Sequence, residues 1–246
     1  MRRFFVAPEG IKDNKAYITG SDAHHITQVL RLKKDDKIIV IDGTGLEYET
    51  VIKELKENCV AGEIVGVTSS KRDARTRVTL VQGVPKGDRM ELIIQKCTEL
   101  GVVSIIPVIT QRTVVKLDDV KRKQRVERWQ KIAQEASKQC KRAIVPTIDK
   151  IYDWDDYLKE VDEGEEVLVL WEDESTVGLK EILTTRTDLA SITLVVGPEG
   201  GFTNEEVAKL KGRGAHSVSI GSRILRTETA GFAAIIMTLY EFGDLG

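Results

Sequence analysis

Cysteine, histidine and proline are scarce: three, three and five residues in a chain of 246. Each shortage removes a class of answer. Cys59, Cys97 and Cys140 are odd in number, far apart and free of any Cys-x-x-Cys pair, which leaves no disulfide framework and no zinc ribbon and implies ordinary reduced thiols. His24 and His25 are neighbours and His216 stands alone, so no metal site is expected. No apolar run approaches the ~20 residues of a membrane span. The opening Met1-Arg2-Arg3-Phe4-Phe5-Val6 lacks the apolar stretch and cleavage site of a secretory leader, and a cytoplasmic protein without a membrane partner is expected. Also missing are Gly-x-Gly-x-x-Gly and Gly-x-x-x-x-Gly-Lys-Ser/Thr, the loops that cradle phosphates in nucleotide-binding α/β folds.

What is present is a chain with 41% apolar and 31% charged residues, long enough for one large α/β domain or a small domain beside a larger one. The formal net charge of −2 hides segregation. Between Arg112 and Arg142 eleven Lys or Arg face four acidic residues; between Asp149 and Glu174 twelve acidic residues face two basic ones. A polyanion responds to the local field, and the basic stretch supplies one. A solvated helix face is the competing reading of such a run.

Residues 1–70 read as a small β-rich domain. Short apolar runs at Arg3–Val6, Ala16–Ile18, Lys37–Ile41, Glu47–Ile52 and Cys59–Val67 are separated by glycine turns, which suits strands of a small barrel. Between them Ser21 to Arg31 looks helical, capped by Ser21 or Asp22. Lys71 to Arg77, polar and basic, reads as a linker, and residues 71–246 as a second domain. That domain opens with a strand over Val78–Val84, a helix capped by Asp88 with Glu91 and ended by Gly101, and a strand over Val102–Val108. A βαβ start predicts a parallel sheet. Leu117 to Lys141 forms one long helix with Val126, Trp129, Ile132, Ala133 and Ala136 on its packed face. Asp149 to Glu165 reads as a surface loop and short helix, and Glu166–Trp171 as the next strand.

Near the C-terminus two strand-loop-helix junctions follow each other. Ile192–Val196 runs into Gly197-Pro198-Glu199-Gly200-Gly201-Phe202, and Thr203 with Glu206 makes a capping box that starts a helix. Val218–Ile220 leads through Arg223 and Arg226 to a helix opened by Thr227, apolar almost all round its middle and so covered on most sides. Glycines leave main-chain groups bare to a ligand, and two such junctions suggest one ligand held between two loops. A phosphate ligand is disfavoured by Glu199, Glu205 and Glu206.

The pair Gly-Pro-Glu-Gly-Gly-Phe (197–202) and Leu-Arg-Thr-Glu-Thr-Ala (225–230) resembles the RsmE family, bacterial enzymes that methylate N3 of a uridine in 16S ribosomal RNA. His25 to Arg31, Lys86-Gly87, Gln95 to Val102 and Glu135 to Arg142 extend the resemblance along the whole chain. It implies a PUA-like barrel followed by a SPOUT methyltransferase domain, an α/β parallel sheet whose C-terminal chain is threaded into a trefoil knot; chain physics alone would exclude a knot. The cofactor implied is S-adenosylmethionine, held by Leu170, Glu172, Gly197, Glu199, Gly200, Gly201, Ile220, Ser222, Leu225 and Arg226. The partners implied are the ribosomal RNA, within an assembled small subunit, and a second copy of the chain. Arg2, Arg3, His25, Arg31, Lys33 and Arg142 would meet the RNA. Uridine N3 carries a proton at neutral pH, so a base or a stabilising cation is required, with Glu228, Arg226 and Arg112 as the catalytic candidates and no choice among them. The same features leave two alternatives: an enzyme acting on another RNA nucleotide, and a non-catalytic RNA-binding module.

Overall fold

The computed structural model describes residues 1–56, 58–70, 73–162, 164–186 and 189–245. The chain divides into two compact units: Met1–Asp73 with Ser137–Val145, and Ala74–Ala136 with Pro146–Gly246. Of the expected linker, Lys71 and Arg72 lie outside the described residues.

In the first unit β1 (Arg3–Phe5), β2 (Ile11–Lys12), β3 (Lys15–Thr19), β4 (Lys37–Ile41), β5 (Leu46–Lys56) and β6 (Cys59–Ser69) form one sheet in the order β1-β4-β5-β6-β3-β2. Its pairs are antiparallel except the parallel β1–β4. Alternation along each strand sends every second side chain inward. Phe4, Ile18, Ile38, Val40, Ile52, Val60 and Ile64 meet in one core drawn from both halves of the sheet, and register shifts in β5 bend it around that core. The expected single helix from Ser21 is instead α1 (Gly20–His24) followed by a π-helical turn, His25–Val29. Leu30 N–H reaches back to the His25 carbonyl, and Arg31, at φ 50°, ends the run. Neither Ser21 nor Asp22 caps it; the capping position is Thr19, without a side-chain bond.

The second unit carries β7 (Arg77–Gly83), α2 (Arg89–Leu100), β8 (Ser104–Ile109), α3 (Asp119–Cys140), β9 (Thr147–Ile148), β10 (Tyr152–Asp153), α4 (Trp154–Glu160), β11 (Val167–Leu170), α5 (Leu179–Thr184), β12 (Ser191–Val196), α6 (Asn204–Lys211), β13 (His216–Val218) and α7 (Thr227–Glu241). The last turn of α3, from Ser137, belongs to the first unit. The sheet runs β10-β8-β7-β12-β11-β13, with β9 also on β8, and every pair in it is parallel. A parallel sheet must be covered on both faces. One face carries α2 and α7; the core over Val81, Val169 and Val195 takes Trp154, Tyr157 and Leu158 of α4 with Val207 and Leu210 of α6. The short helix expected in the acidic segment is present as α4, but it is no surface element, because Trp154 and Tyr157 are buried and Tyr152 is partly so.

The helix ends follow local chemistry where that chemistry has no rival. Gly101 takes φ 119° and its N–H closes α2 on the Cys97 and Thr98 carbonyls. Asp118 starts α3, accepting from Lys121 N–H at 2.8 Å. Asp88 precedes α2 without a side-chain cap bond, and Glu91 is turned instead to Arg128 at 2.6 Å.

Candidate functional site

Strands β12, β11 and β13 are adjacent and parallel, yet the chain visits β11 first, then β12, then crosses back to β13. Their C-terminal ends therefore emit three neighbouring loops, the usual place for a ligand in an open α/β sheet. Between them lies a cavity of about 920 Å³, well sized for a small-molecule cofactor.

The structure brings most of the expected cofactor residues together here: Leu170, Glu172, Gly197, Glu199, Gly201, Ile220, Ser222, Leu225 and Arg226 all line the cavity, and Glu228 joins them. Gly200 and Arg112 do not line it. They face each other instead: Arg112 Nη1 donates to the Gly200 carbonyl at 2.8 Å, and a Cβ on Gly200 would stand 3.0 Å from Arg112 Cβ. Gly201 is pinned similarly, with φ 68° and room for no side chain beside the Glu172 carboxylate. A Cβ on Gly197 would press on the main chain of Gly201 at 3.1–3.2 Å. These loops are shaped by close backbone approach.

Charged side chains fix two of these loops. Glu199 accepts from Lys86 N–H at 3.0 Å and is ion-paired with Arg89 at the start of α2. Burial pushes the Glu199 carboxyl up, but the main-chain N–H groups and Arg89 outweigh it and hold the carboxyl below its usual range. In the loop after β11, Glu174 accepts from Ser217 Oγ at 2.5 Å, from Thr176 Oγ1 at 2.6 Å and from Thr176 N–H at 2.9 Å. Those bonds, Ser217 first, bring its carboxyl down to about 2. The Thr203–Glu206 capping box is formed, and the same Glu206 takes Gln111 N–H at 2.7 Å, so α6 also anchors the loop that carries Arg112.

The residues expected to meet RNA belong to the first unit. Arg2, His25, Arg31 and Lys33 are exposed, and His25 packs edge-on against Phe4. Arg3 is ion-paired with Glu47 at 2.6 Å. Arg142 departs from the expectation: it is 4% exposed and its Nε donates to Asp73 at 2.8 Å, which makes it a structural anchor. Of the basic helix, Arg122 and Arg128 are held by Asp153 and Glu91. Residues not anticipated include Arg89 and Trp171, which line the cavity, and Gln82, which lies behind it on Thr227. Gln82 alone left a trace in the sequence, as an amide in the otherwise apolar run Leu80-Val81-Gln82-Gly83-Val84.

The donor set suits S-adenosylmethionine. It offers bare main-chain groups, carboxylates at Glu172, Glu199 and Glu228 for a cationic ligand, and an apolar floor from Leu170 and Val196. Among the described residues no group of three His, Cys, Asp or Glu could hold a metal, and no helix is long and apolar enough to cross a membrane.

Comparison with known proteins agrees with this geometry. Residues 72–239 match a family model described as an RNA methyltransferase domain, and residues 18–65 one described as an RNA methyltransferase PUA domain. A curated relative from Bacillus subtilis, ribosomal RNA small subunit methyltransferase E, is 35% identical, covering 98% of this chain and 97% of its own. A ribosomal RNA small subunit methyltransferase E from Neisseria gonorrhoeae, solved bound to S-adenosyl methionine, superposes with a TM-score of 0.83 at 31% identity, covering 98% of this chain and 97% of its own. A putative methyltransferase from Legionella pneumophila, in complex with the same cofactor, gives 0.75 at 28% identity over 97% of this chain and 96% of its own. The chain is an α/β protein that belongs to the RNA methyltransferase family of the ribosomal RNA small subunit methyltransferase E proteins.

Proposed function

We propose that this chain transfers a methyl group from S-adenosylmethionine to N3 of a uridine in 16S ribosomal RNA of the small subunit, acting as a homodimer. The observation that carries the reading is the cavity at the ends of β11, β12 and β13, lined by carboxylates and main-chain groups in a chain of this family. Residues 1–70 serve as the RNA-holding barrel and 71–246 as the catalytic domain, with the C-terminal chain knotted as the resemblance implies.

When bound, the cofactor supplies an already electrophilic methyl group. The chain's task is therefore alignment and exclusion of water. Gly197, Gly201 and the Ile220–Leu225 loop grip through the main chain, while Glu172 and Glu199 face positive charge. Glu228, half-buried in the first turn of α7, accepts the N3 proton; Arg226 beside it offsets negative charge on the flanking carbonyl oxygens. Neither side chain makes a hydrogen bond or ion pair among the described residues, so both are available to substrate. Arg112 steadies the Gly200 carbonyl and thereby the loop. A paired N3 is inaccessible, so the uridine is taken unpaired or extruded. Arg2, His25, Arg31 and Lys33 supply backbone contacts that position the RNA.

The test is methylation of small subunits lacking the modification, with labelled S-adenosylmethionine and nucleoside analysis. Label recovered as 3-methyluridine is expected, with Glu228→Gln reducing kcat about 10²-fold or more, as loss of a general base does. Label on a different nucleoside refutes the uridine assignment and leaves another RNA target. Cofactor binding without transfer to any RNA points to the non-catalytic module.

A further inference from the structure

A buried amide with an unanswered oxygen is an unfavourable thing to place in a β-strand. Gln82, fully buried near the end of β7, is such a group: its Oε1 finds no partner among the described residues. An apolar residue of the same length would fill that position without leaving a polar atom unmatched. Its Nε2 explains the choice. It donates to Thr227 Oγ1 at 2.8 Å, and Thr227 Oγ1 donates in turn to the Gly197 carbonyl at 2.6 Å. A second Nε2 bond holds the Gly83 carbonyl at 2.9 Å. An amide NH₂ can only donate and a carbonyl can only accept, so the Thr227 hydroxyl proton has one direction.

This chain of bonds joins three segments distant in sequence: the end of β7, the glycine loop after β12 and the first residue of α7. The last two both line the cavity, the glycine loop with Glu199 and the start of α7 with Arg226 and Glu228. The main chain shows the same closeness, since a Cβ on Gly83 would collide with Pro198 Cδ at 2.5 Å. We infer that Gln82 is a positioning residue: acting through Thr227, it sets the distance between the glycine loop and the start of α7, and so the fit of the cofactor. Gln82 itself does not line the cavity.

The inference rests on the cofactor reading above, and calorimetry of S-adenosylmethionine binding separates the two. The full chain is compared with Gln82→Met, Thr227→Val, Thr227→Ser and the Gln82→Met/Thr227→Val double variant, each also melted without ligand. Gln82→Met and Thr227→Val are each expected to raise Kd about tenfold, and to raise KM for the cofactor while leaving KM for RNA in place. Thr227→Ser, which keeps the hydroxyl, recovers most of the loss. The double variant should bind no more weakly than the worse single one, because both substitutions cut the same tie. Binding by Gln82→Met equal to the parent overturns the inference, as do additive losses of about a hundredfold in the double variant. Should Gln82→Met fail to fold, equal affinities for Thr227→Val and Thr227→Ser overturn it alone. A parent chain that binds no S-adenosylmethionine overturns the cofactor reading, and this inference with it.

Discussion

Removing one member of a buried ion pair leaves the other charged and out of water. Arg142 and Asp73 form such a pair, with side chains 4% and 6% exposed and 2.8 Å apart, and Ala143 N–H adds a bond to the same carboxylate. Arg142→Ala should therefore lower the unfolding free energy by about 3–5 kcal/mol in urea titrations, whereas Arg31→Ala, at an exposed position, should change it by less than about 0.5 kcal/mol. Glu174 gives a pH-dependent counterpart. Its carboxyl lies at about 2 in the folded chain against an ordinary 4.5, so the proton is bound more weakly folded than unfolded. Its stabilising effect is complete above about 4.5 and disappears as pH falls towards about 2. Melting curves of the parent and Glu174→Gln should accordingly differ near neutral pH and converge across that interval. Single charges are where sequence reasoning reached least far. Arg142 and Arg31 are the same residue type in basic surroundings, and only the approach of Asp73 from 69 positions away tells them apart.

Elements were legible to the degree that their determinants are local. Thr203 and Glu206 lie one helical turn apart, and the distant partner of Glu206 takes only its other carboxylate oxygen, so the capping box forms as the spacing predicts. Asp88 and Glu91 have the same spacing, but Arg128 of α3 takes Glu91 and the box does not close. The acidic stretch 149–165 misleads for a related reason: its charges are abundant, while burial is decided by a few apolar residues, Trp154, Tyr157, Leu158 and Val161 among them. Glu206 joins local and distant effects in one side chain. Its Oε2 accepts from Thr203 and its Oε1 from Gln111 N–H, next to Arg112. Glu206→Ala is thus expected to destabilise by about 1–2 kcal/mol, at the upper end for a lost cap. Amide exchange should accelerate at Gln111 as well as in the first turn of α6. Faster exchange in α6 alone would show that the Arg112 loop holds itself in place.

At the scale of the whole molecule, α7 has one side on the sheet and another left open. Ile236 and Met237, adjacent in sequence, are 44% and 45% exposed, and Tyr240, one helical turn further on, is 68% exposed. Exposed apolar surface grouped in this way supports the homodimer proposed above. Ile236→Glu should shift the chain to a monomer in sedimentation experiments at micromolar concentration, with its circular dichroism unchanged. Strand content and the change from a β-rich unit to a parallel α/β unit could be read from periodicity. The order β7-β12-β11-β13 could not, because each of those strands is a similar short apolar run and nothing in their residues ranks their neighbours. That order also has a consequence in time. Two of the pocket's tie points, Gly197 and Thr227, lie 115 and 145 positions from the third, Gln82, and contacts so distant in sequence, like the parallel pairing of β7 with β12, close slowly. A refolding chain should recover its buried tryptophan fluorescence first and its capacity to capture a ligand last, so that freshly made protein passes through an interval in which it is compact but chemically silent.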